Sequence, residues 1–110
     1  MKTEFRLKKA YQYKYVFNKG KGVKDENFVL LTCPTAKGKK IGFSISKKYG
    51  KAVQRNRLRR QLKAAFDQIL PNVTEGINVV VLPRKSTAYQ FGDIVQSLTV
   101  LCKKANIWKK

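Results

Sequence analysis

The segment KKYGKAVQRNRLRRQL, residues 47 to 62, carries the side chains whose types and spacing most clearly indicate a chemistry. It places seven lysines and arginines among sixteen positions around Asn56, and it contains no carboxylate. Arginine guanidinium groups bind phosphate through paired hydrogen bonds and stack on bases, which a lysine ammonium cannot do. The pattern therefore predicts a surface that binds the phosphates of RNA or DNA.

The alternative interpretation of this segment is an ordinary solvated charged surface. Such surfaces usually pair opposite charges three or four residues apart, but residues 27 to 66 hold eleven cations and no acid. The whole chain of 110 residues has 25 Lys and Arg against six Asp and Glu, a formal charge of +19. Because this charge repels itself unless a polyanion is bound, a nucleic-acid partner is favoured.

The sequence offers few groups that could cleave a phosphodiester bond. Such cleavage uses carboxylates that gather divalent ions, or a general base and acid such as two histidines. Histidine is absent and the six acids are scattered along the sequence. We therefore predict no catalytic residue and no metal site in this chain. Cys33 and Cys102 are too few for a zinc site or a disulfide framework, and we predict two reduced, buried thiols.

The cations of the basic segment need a helix to display them, and the apolar residues predict one over residues 52 to 70. These residues recur at helical spacing: Leu58, Leu62, Ala65, Phe66 and Ile69. With Leu58 inward, the helix directs Asn56, Arg60 and Lys63 to the opposite side, with Arg57 and Arg59 on the flanks.

The remaining pattern predicts an α+β protein. Helices are expected over residues 7 to 18 and 94 to 105, and strands over 27 to 33, 40 to 46 and 77 to 83, within a sheet of about four strands. In residues 40 to 46 one face is apolar and the other carries Gly42, Ser44 and Ser46. The order αββαβα suggests a two-layer α/β sandwich forming a single domain over residues 1 to 110.

No apolar run approaches the roughly 18 residues of a membrane span. The basic beginning MKTEFRLKK lacks the apolar region of a signal peptide. The sequence therefore predicts a cytoplasmic protein without a membrane partner.

The stretch KIGFSISKKYGKAVQRNRLRRQLKAAF resembles the signature of the bacterial ribonuclease P protein family, whose core is an RNR sequence at the start of a long helix. FRLKKAYQYKYVFNKG is similar to the N-terminal helix of that family, NFVLL to its strand, and INVVVLPRKS to the strand after the long helix. The resemblance covers nearly the whole chain. It implies a mixed sheet with three helices and a left-handed βαβ crossover, similar to a domain of ribosomal protein S5, whereas the general rule predicts right-handed crossovers.

The resemblance also implies a function. In that family a catalytic RNA holds Mg²⁺ and cleaves, while the protein binds this RNA and the 5′ leader of precursor tRNA. The chain itself would bind no cofactor, its partners would be the catalytic RNA and precursor tRNA, and no DNA partner is expected.

The resemblance assigns residues to two surfaces. The surface for the catalytic RNA comprises the RNR segment, the lysines before it and three neighbouring cations of the helix: Lys48, Lys51, Arg55, Asn56, Arg57, Arg59, Arg60 and Lys63. The leader cleft comprises Tyr13, Phe17, Leu31, Ser44, Ser46, Lys47 and Lys48. Some family members have an aromatic residue where this chain has Leu31. From the residues alone, core packing of Tyr13 and Phe17 is an open alternative.

Three other functions are compatible with parts of the pattern. A ribosomal or other RNA-assembly protein would share the charge, the size and the arginine-rich helix, but it would have no reason to bind a 5′ leader. A self-sufficient nuclease is disfavoured by the missing histidines and carboxylate cluster. A DNA-binding module is disfavoured because no helix-turn-helix pattern accompanies the long helix.

Overall fold

The computed structural model describes residues 3–36, 38–85 and 88–109, and these residues form a four-stranded sheet with three α-helices. The strands are β1 (Lys21–Lys24), β2 (Phe28–Pro34), β3 (Lys39–Phe43) and β4 (Ile77–Pro83). The helices are α1 (Ala10–Lys19), α2 (Ala52–Ile69) and α3 (Phe91–Lys104). Short 3-10 turns occur at Thr3–Phe5, Lys47–Tyr49 and Leu70–Asn72. None of the helices in these ranges has the length and apolar character needed to cross a membrane.

The sheet is mixed, with the strand order β1-β2-β4-β3. β2 pairs with β1 and β4 in antiparallel fashion, whereas β3 and β4 are parallel. α2 connects β3 to β4, so the carboxyl ends of these two strands meet at the same edge of the sheet. The α+β class and the mixed sheet are confirmed, and the left hand of the crossover stays a prediction.

The two faces of the sheet are covered unequally. α2 and α3 pack on one face and form the main core, which includes Leu58, Leu62, Phe66, Ile94, Leu98, Leu30, Val79 and Val81. α1 packs on the other face, where Val16 is buried with Leu7, Cys33 and Val80. Leu31 and Leu82 on this second face are only half-buried. The sheet therefore stays partly open beside α1.

Several predicted boundaries shift. The first helix begins at Ala10, because Leu7 lies in an extended segment whose N–H donates to the Ile41 carbonyl at 3.0 Å. The strand predicted over residues 40 to 46 ends at Phe43, beyond which the chain bends into the Lys47–Tyr49 turn. β1 was not located by the sequence pattern. In the segment INVVVLPRKS, Ser86 lies outside the described residues.

Candidate nucleic-acid interface

Local contacts fix the amino-terminal end of α2, where the basic segment begins. The Gln54 side-chain oxygen accepts a hydrogen bond from the Lys51 N–H at 2.7 Å and so caps the helix. Arg55 Nη1 donates to the Gly50 carbonyl at 3.1 Å. A Cβ at Gly50 would lie 2.3 Å from the Gln54 oxygen, so a larger residue there would shift this side chain from its capping position. The RNR segment therefore starts from a well-defined turn.

The Lys47–Tyr49 turn is held by an aromatic stack. The Tyr49 ring lies 6.4 Å from that of Tyr89 at an interplanar angle of 9°, and Tyr89 stacks on buried Phe28 at 4.8 Å. Burial raises the pKa of Tyr89, and burial likewise raises the pKa of Tyr49 although the Arg57 charge opposes it. Both phenols stay neutral at neutral pH, and the stack ties the lysine-bearing turn to the core.

α2 displays its cations as the helical pattern predicts. Leu58 is 1% exposed and packs into the core, which leaves the opposite side in solvent. The exposed members of the predicted RNA surface are Lys48, Lys51, Asn56, Arg57 and Arg60. Arg55 and Arg59 are half-buried. Arg55 is engaged with the preceding turn, and Arg59 donates to the Asn56 side-chain oxygen at 3.2 Å.

A cation outside the basic segment joins this surface. Burial lowers the pKa of half-buried Lys63, and the neighbouring charges of Arg6 and Arg59 lower it further. Arg6 comes from the amino-terminal segment, which bridges to Ile41 at the open side of β3. The sequence pattern did not identify Arg6, because no periodicity links this segment to α2. Arg6 and Arg59 therefore both lie close enough to Lys63 for their charges to repel it.

The two aromatic residues of the predicted leader cleft have different environments. Tyr13 is half-buried, donates its hydroxyl to the Leu7 carbonyl at 3.3 Å and lies over Gly42. A Cβ at Gly42 would approach the Tyr13 ring to 2.7 Å, so the glycine makes room for this ring. Phe17 is 45% exposed. Tyr13 thus packs partly on the sheet, whereas Phe17 presents its ring to solvent.

At the carboxyl ends of β3 and β4 lies a pocket of 240 Å³. It is lined by Ser44, Ser46, Lys48, Tyr49, Leu82, Pro83, Arg84 and Lys85. The pocket brings three predicted cleft residues together and adds Arg84 and Lys85, which were not predicted. The sequence shows only that these two cations directly follow a buried strand, and the fold places that strand beside β3. Lys47 is exposed on the nearby turn and does not line the pocket. Leu31 is half-buried on the sheet face that carries α1.

The acids are less scattered than the sequence suggested. Asp25, Glu26 and Asp93, three of the six, line one pocket of 350 Å³. Asp25 is engaged locally, since its Oδ1 accepts hydrogen bonds from the N–H groups of Asn27 and Phe28 at 2.8 Å each. In the part of the chain that the structure describes, no three His, Cys, Asp or Glu side chains are grouped so as to hold a metal ion.

The two cysteines are buried and free, as predicted, and they lie on opposite sheet faces. Burial raises the pKa of the Cys102 thiol to about 12. Neither thiol therefore belongs to the basic surface or to the cleft.

Comparison with known proteins agrees with this arrangement. The family model described as Ribonuclease P matches residues 1 to 106. The ribonuclease P protein component of Exiguobacterium sp. is 33% identical over 111 residues, covering 100% of this chain and 97% of that protein. The ribonuclease P protein component of Finegoldia magna is 34% identical over 107 residues, covering 96% and 95% of the two chains.

Solved structures show the same fold. The Staphylococcus aureus RNase P protein superposes with a TM-score of 0.85 at 27% identity, covering 96% of this chain and 98% of that one. The Thermotoga maritima RNase P protein gives a TM-score of 0.82 at 28% identity, covering 90% and 96%. Sequence, fold and the family match over nearly the whole length lead to one conclusion: the chain belongs to the ribonuclease P protein family.

Proposed function

We propose that this chain binds the catalytic RNA of ribonuclease P through the exposed side of α2 and the 5′ leader of precursor tRNA through the cleft beside α1. As a member of the family, the chain is the protein subunit of an endoribonuclease that matures tRNA 5′ ends, and the RNA subunit performs the catalysis. The observation that carries the proposal is the outward display of Arg57 and Arg60 in a segment without a carboxylate.

The catalytic RNA suits the α2 surface electrostatically. Arg6, Arg59 and Lys63 lie close enough together that their charges lower the pKa of the lysine. A phosphate bound among them would replace repulsion by attraction, which is the kind of contact that dominates protein–RNA affinity. Arg59 is also held by its hydrogen bond to Asn56, so its long side chain is partly ordered before RNA binds and loses less conformational entropy on binding.

The leader suits the cleft because a single strand offers bases for stacking and phosphates for cations. Phe17 provides an exposed ring, and stacking tolerates any base, as a leader of variable sequence requires. The pocket at the strand ends supplies Lys48, Arg84 and Lys85 for phosphates, with the hydroxyls of Ser44 and Ser46 beside them. We expect Lys47 on the adjoining turn to contribute only long-range attraction.

The proposal assigns the metal chemistry to the RNA. Mg²⁺ would act within the RNA subunit, and the residues of this chain would bind and orient RNA without taking part in bond cleavage. The expected compartment is the cytoplasm.

Phe17→Ala tests the leader cleft, with Phe91→Ala as a matched control. Phe91 is a similarly exposed phenylalanine at the start of α3, which packs on the other sheet face. In the reconstituted holoenzyme, we expect Phe17→Ala to weaken binding of precursor tRNA with a leader of several nucleotides about 5- to 150-fold, the loss of one stacked base. Binding of mature tRNA should be unchanged, and Phe91→Ala should affect neither ligand.

Circular dichroism of each variant confirms that the fold is intact. Equal losses for precursor and mature tRNA in Phe17→Ala, or no loss for either, would place the leader on another surface.

A further inference from the structure

A second groove borders α1 on the side away from Phe17. It has a volume of 620 Å³ and is lined by Tyr11, Gln12, Lys14, Tyr15, Asn18, Pro34, Thr35 and Asn78. Helical spacing places Tyr11, Tyr15 and Asn18 on one side of α1 and Tyr13 and Phe17 on the other. The helix therefore separates this groove from the side of α1 that carries the proposed leader cleft.

The tyrosines of this second groove are unusually exposed. Tyr11 is 66% exposed and Tyr15 is 56% exposed, and they are one helical turn apart. With Phe17, they make up three of the six exposed large apolar side chains in the part of the chain that the structure describes. Such rings can stack on bases without any rearrangement of the core.

The floor of the groove contains a polar group that lacks a partner. Asn78 belongs to β4 and lies opposite Lys40 and Cys33 in the sheet. Its side-chain oxygen is buried and accepts no hydrogen bond. Such a group is unfavourable while it stays unsatisfied, and turning the Asn78 amide toward the groove would present it to the N–H donor that every nucleobase carries on its pairing edge. The lining includes the cation Lys14 and no acid, which suits an anionic ligand.

We propose that this groove binds an unpaired nucleotide of the 5′ leader, beyond the nucleotides that occupy the cleft at Phe17. The inference rests on the proposed function. Phe17 and Asn18 are adjacent in the last turn of α1. A leader that leaves the cleft at Phe17 therefore reaches the second groove by passing around the end of the helix. The groove volume is within the roughly 300 to 1,000 Å³ of typical ligand sites.

Other occupants fit less well. The basic side of α2 lies on the opposite sheet face, so the catalytic RNA bound there is on the far side of the sheet from this groove. A second copy of the chain would bring two formal charges of +19 together. Under the proposed function, the leader is the RNA that binds on this face.

The test uses the reconstituted holoenzyme and precursor tRNAs with leaders of increasing length. For the wild-type chain, affinity for precursor tRNA should rise about 5-fold or more once the leader extends past the leader cleft, which is the effect of one stacked base. The double variant Tyr11→Ala, Tyr15→Ala should lose this increase while keeping its affinity for short leaders and mature tRNA. Tyr11→Phe, Tyr15→Phe should retain the increase, because the rings remain.

A leader extended with abasic nucleotides is the complementary probe, since it adds phosphates without bases. It should give no increase in affinity with the wild-type chain. An increase that survives in the double alanine variant, an equal increase with the abasic extension, or no increase in the wild type would each overturn the inference. A loss of affinity for the catalytic RNA itself in the double variant would also overturn it, in favour of an RNA-subunit contact.

The outcomes separate this inference from the proposed function. If Phe17→Ala leaves short-leader binding unchanged, the proposed leader cleft fails. If Phe17→Ala weakens short-leader binding but the tyrosine variant does not alter the long-leader increase, only the second groove fails.

Discussion

The double variant Arg57→Ala, Arg60→Ala should weaken binding to the catalytic RNA and reduce its dependence on salt. Both side chains are exposed on the side of α2 away from the core, so their removal leaves the packing around Leu58 intact. Surface substitutions of this kind change the free energy of unfolding by less than about 0.5 kcal/mol. The variant therefore isolates electrostatic contacts with RNA from effects on folding.

The magnitude follows from the number of phosphate contacts removed. Each contact contributes roughly 0.7 to 0.9 to the slope of log affinity against log salt concentration. If both arginines contact phosphate, the slope should decrease in magnitude by about 1.4 to 1.8. The largest loss of affinity should therefore occur at low salt.

The assay is a titration of labelled catalytic RNA with the chain at several KCl concentrations and constant Mg²⁺. Lys104→Ala, Lys109→Ala is the matched control, because it removes the same charge. The Lys109 N–H donates to the carbonyl of Asn72, beyond the carboxyl end of α2. The 18-residue helix is about 27 Å long, so this end is more than a Debye length from the RNR segment at physiological salt.

An unchanged slope in the arginine variant would refute the assignment of the RNA surface to α2. A slope reduced equally by the lysine control would mean that net charge alone governs binding. Leu58→Ala shows the contrasting effect, since truncation of this buried side chain should cost about 2 to 5 kcal/mol of stability.

Three further predictions concern the fold and the cleft. Lys39→Met should lower the free energy of unfolding in urea by about 1 to 3 kcal/mol, because the buried ammonium donates to two main-chain carbonyls at 2.8 Å. The same ammonium lies 3.5 Å from the Glu75 carboxylate, which is largely exposed, so Glu75→Gln should cost only about 0 to 1 kcal/mol. Gly42→Ala should displace the Tyr13 ring and weaken binding of leader-bearing tRNA selectively, and unchanged leader affinity would show that Tyr13 does not line the cleft. Burial raises the pKa of the Cys102 thiol from its ordinary value of 9.0 to about 12. Its stabilising contribution should therefore be full below pH 9 and disappear as the pH rises toward 12. The difference in unfolding free energy between wild type and Cys102→Ala, measured with urea across this pH range, should shrink accordingly.

The sequence predicted those helices and strands whose buried apolar residues recur at a clear spacing. α2 was located within one residue at its carboxyl end, and β4 was located in full, because a core helix and an interior strand leave strong apolar patterns. β1 was not located, since Lys21–Lys24 is a mostly exposed edge strand with Val23 as its one large apolar residue. Its pairing with β2 comes from main-chain hydrogen bonds, which leave no pattern in the side chains.

The candidate site was predictable where it lies within one element and not where the fold brings elements together. The outward set on α2 follows from helical spacing, but Arg6 and Arg84 reach their surfaces only through strand pairing. Spacing also placed Tyr13 and Phe17 on one side of α1. It could not show that Gly42 lets Tyr13 pack on the sheet while Phe17 stays exposed.

In the proposed division of function, this chain binds RNA and the RNA subunit cleaves. Its most direct test is incubation of a 5′-labelled precursor tRNA with Mg²⁺ and the purified chain, with and without the catalytic RNA, followed by sizing of the released leader. We expect release of the leader only when the catalytic RNA is present, at every Mg²⁺ concentration tested. Metal-dependent release by RNA-free protein, reproduced in fresh preparations with a ribonuclease inhibitor present, would contradict it.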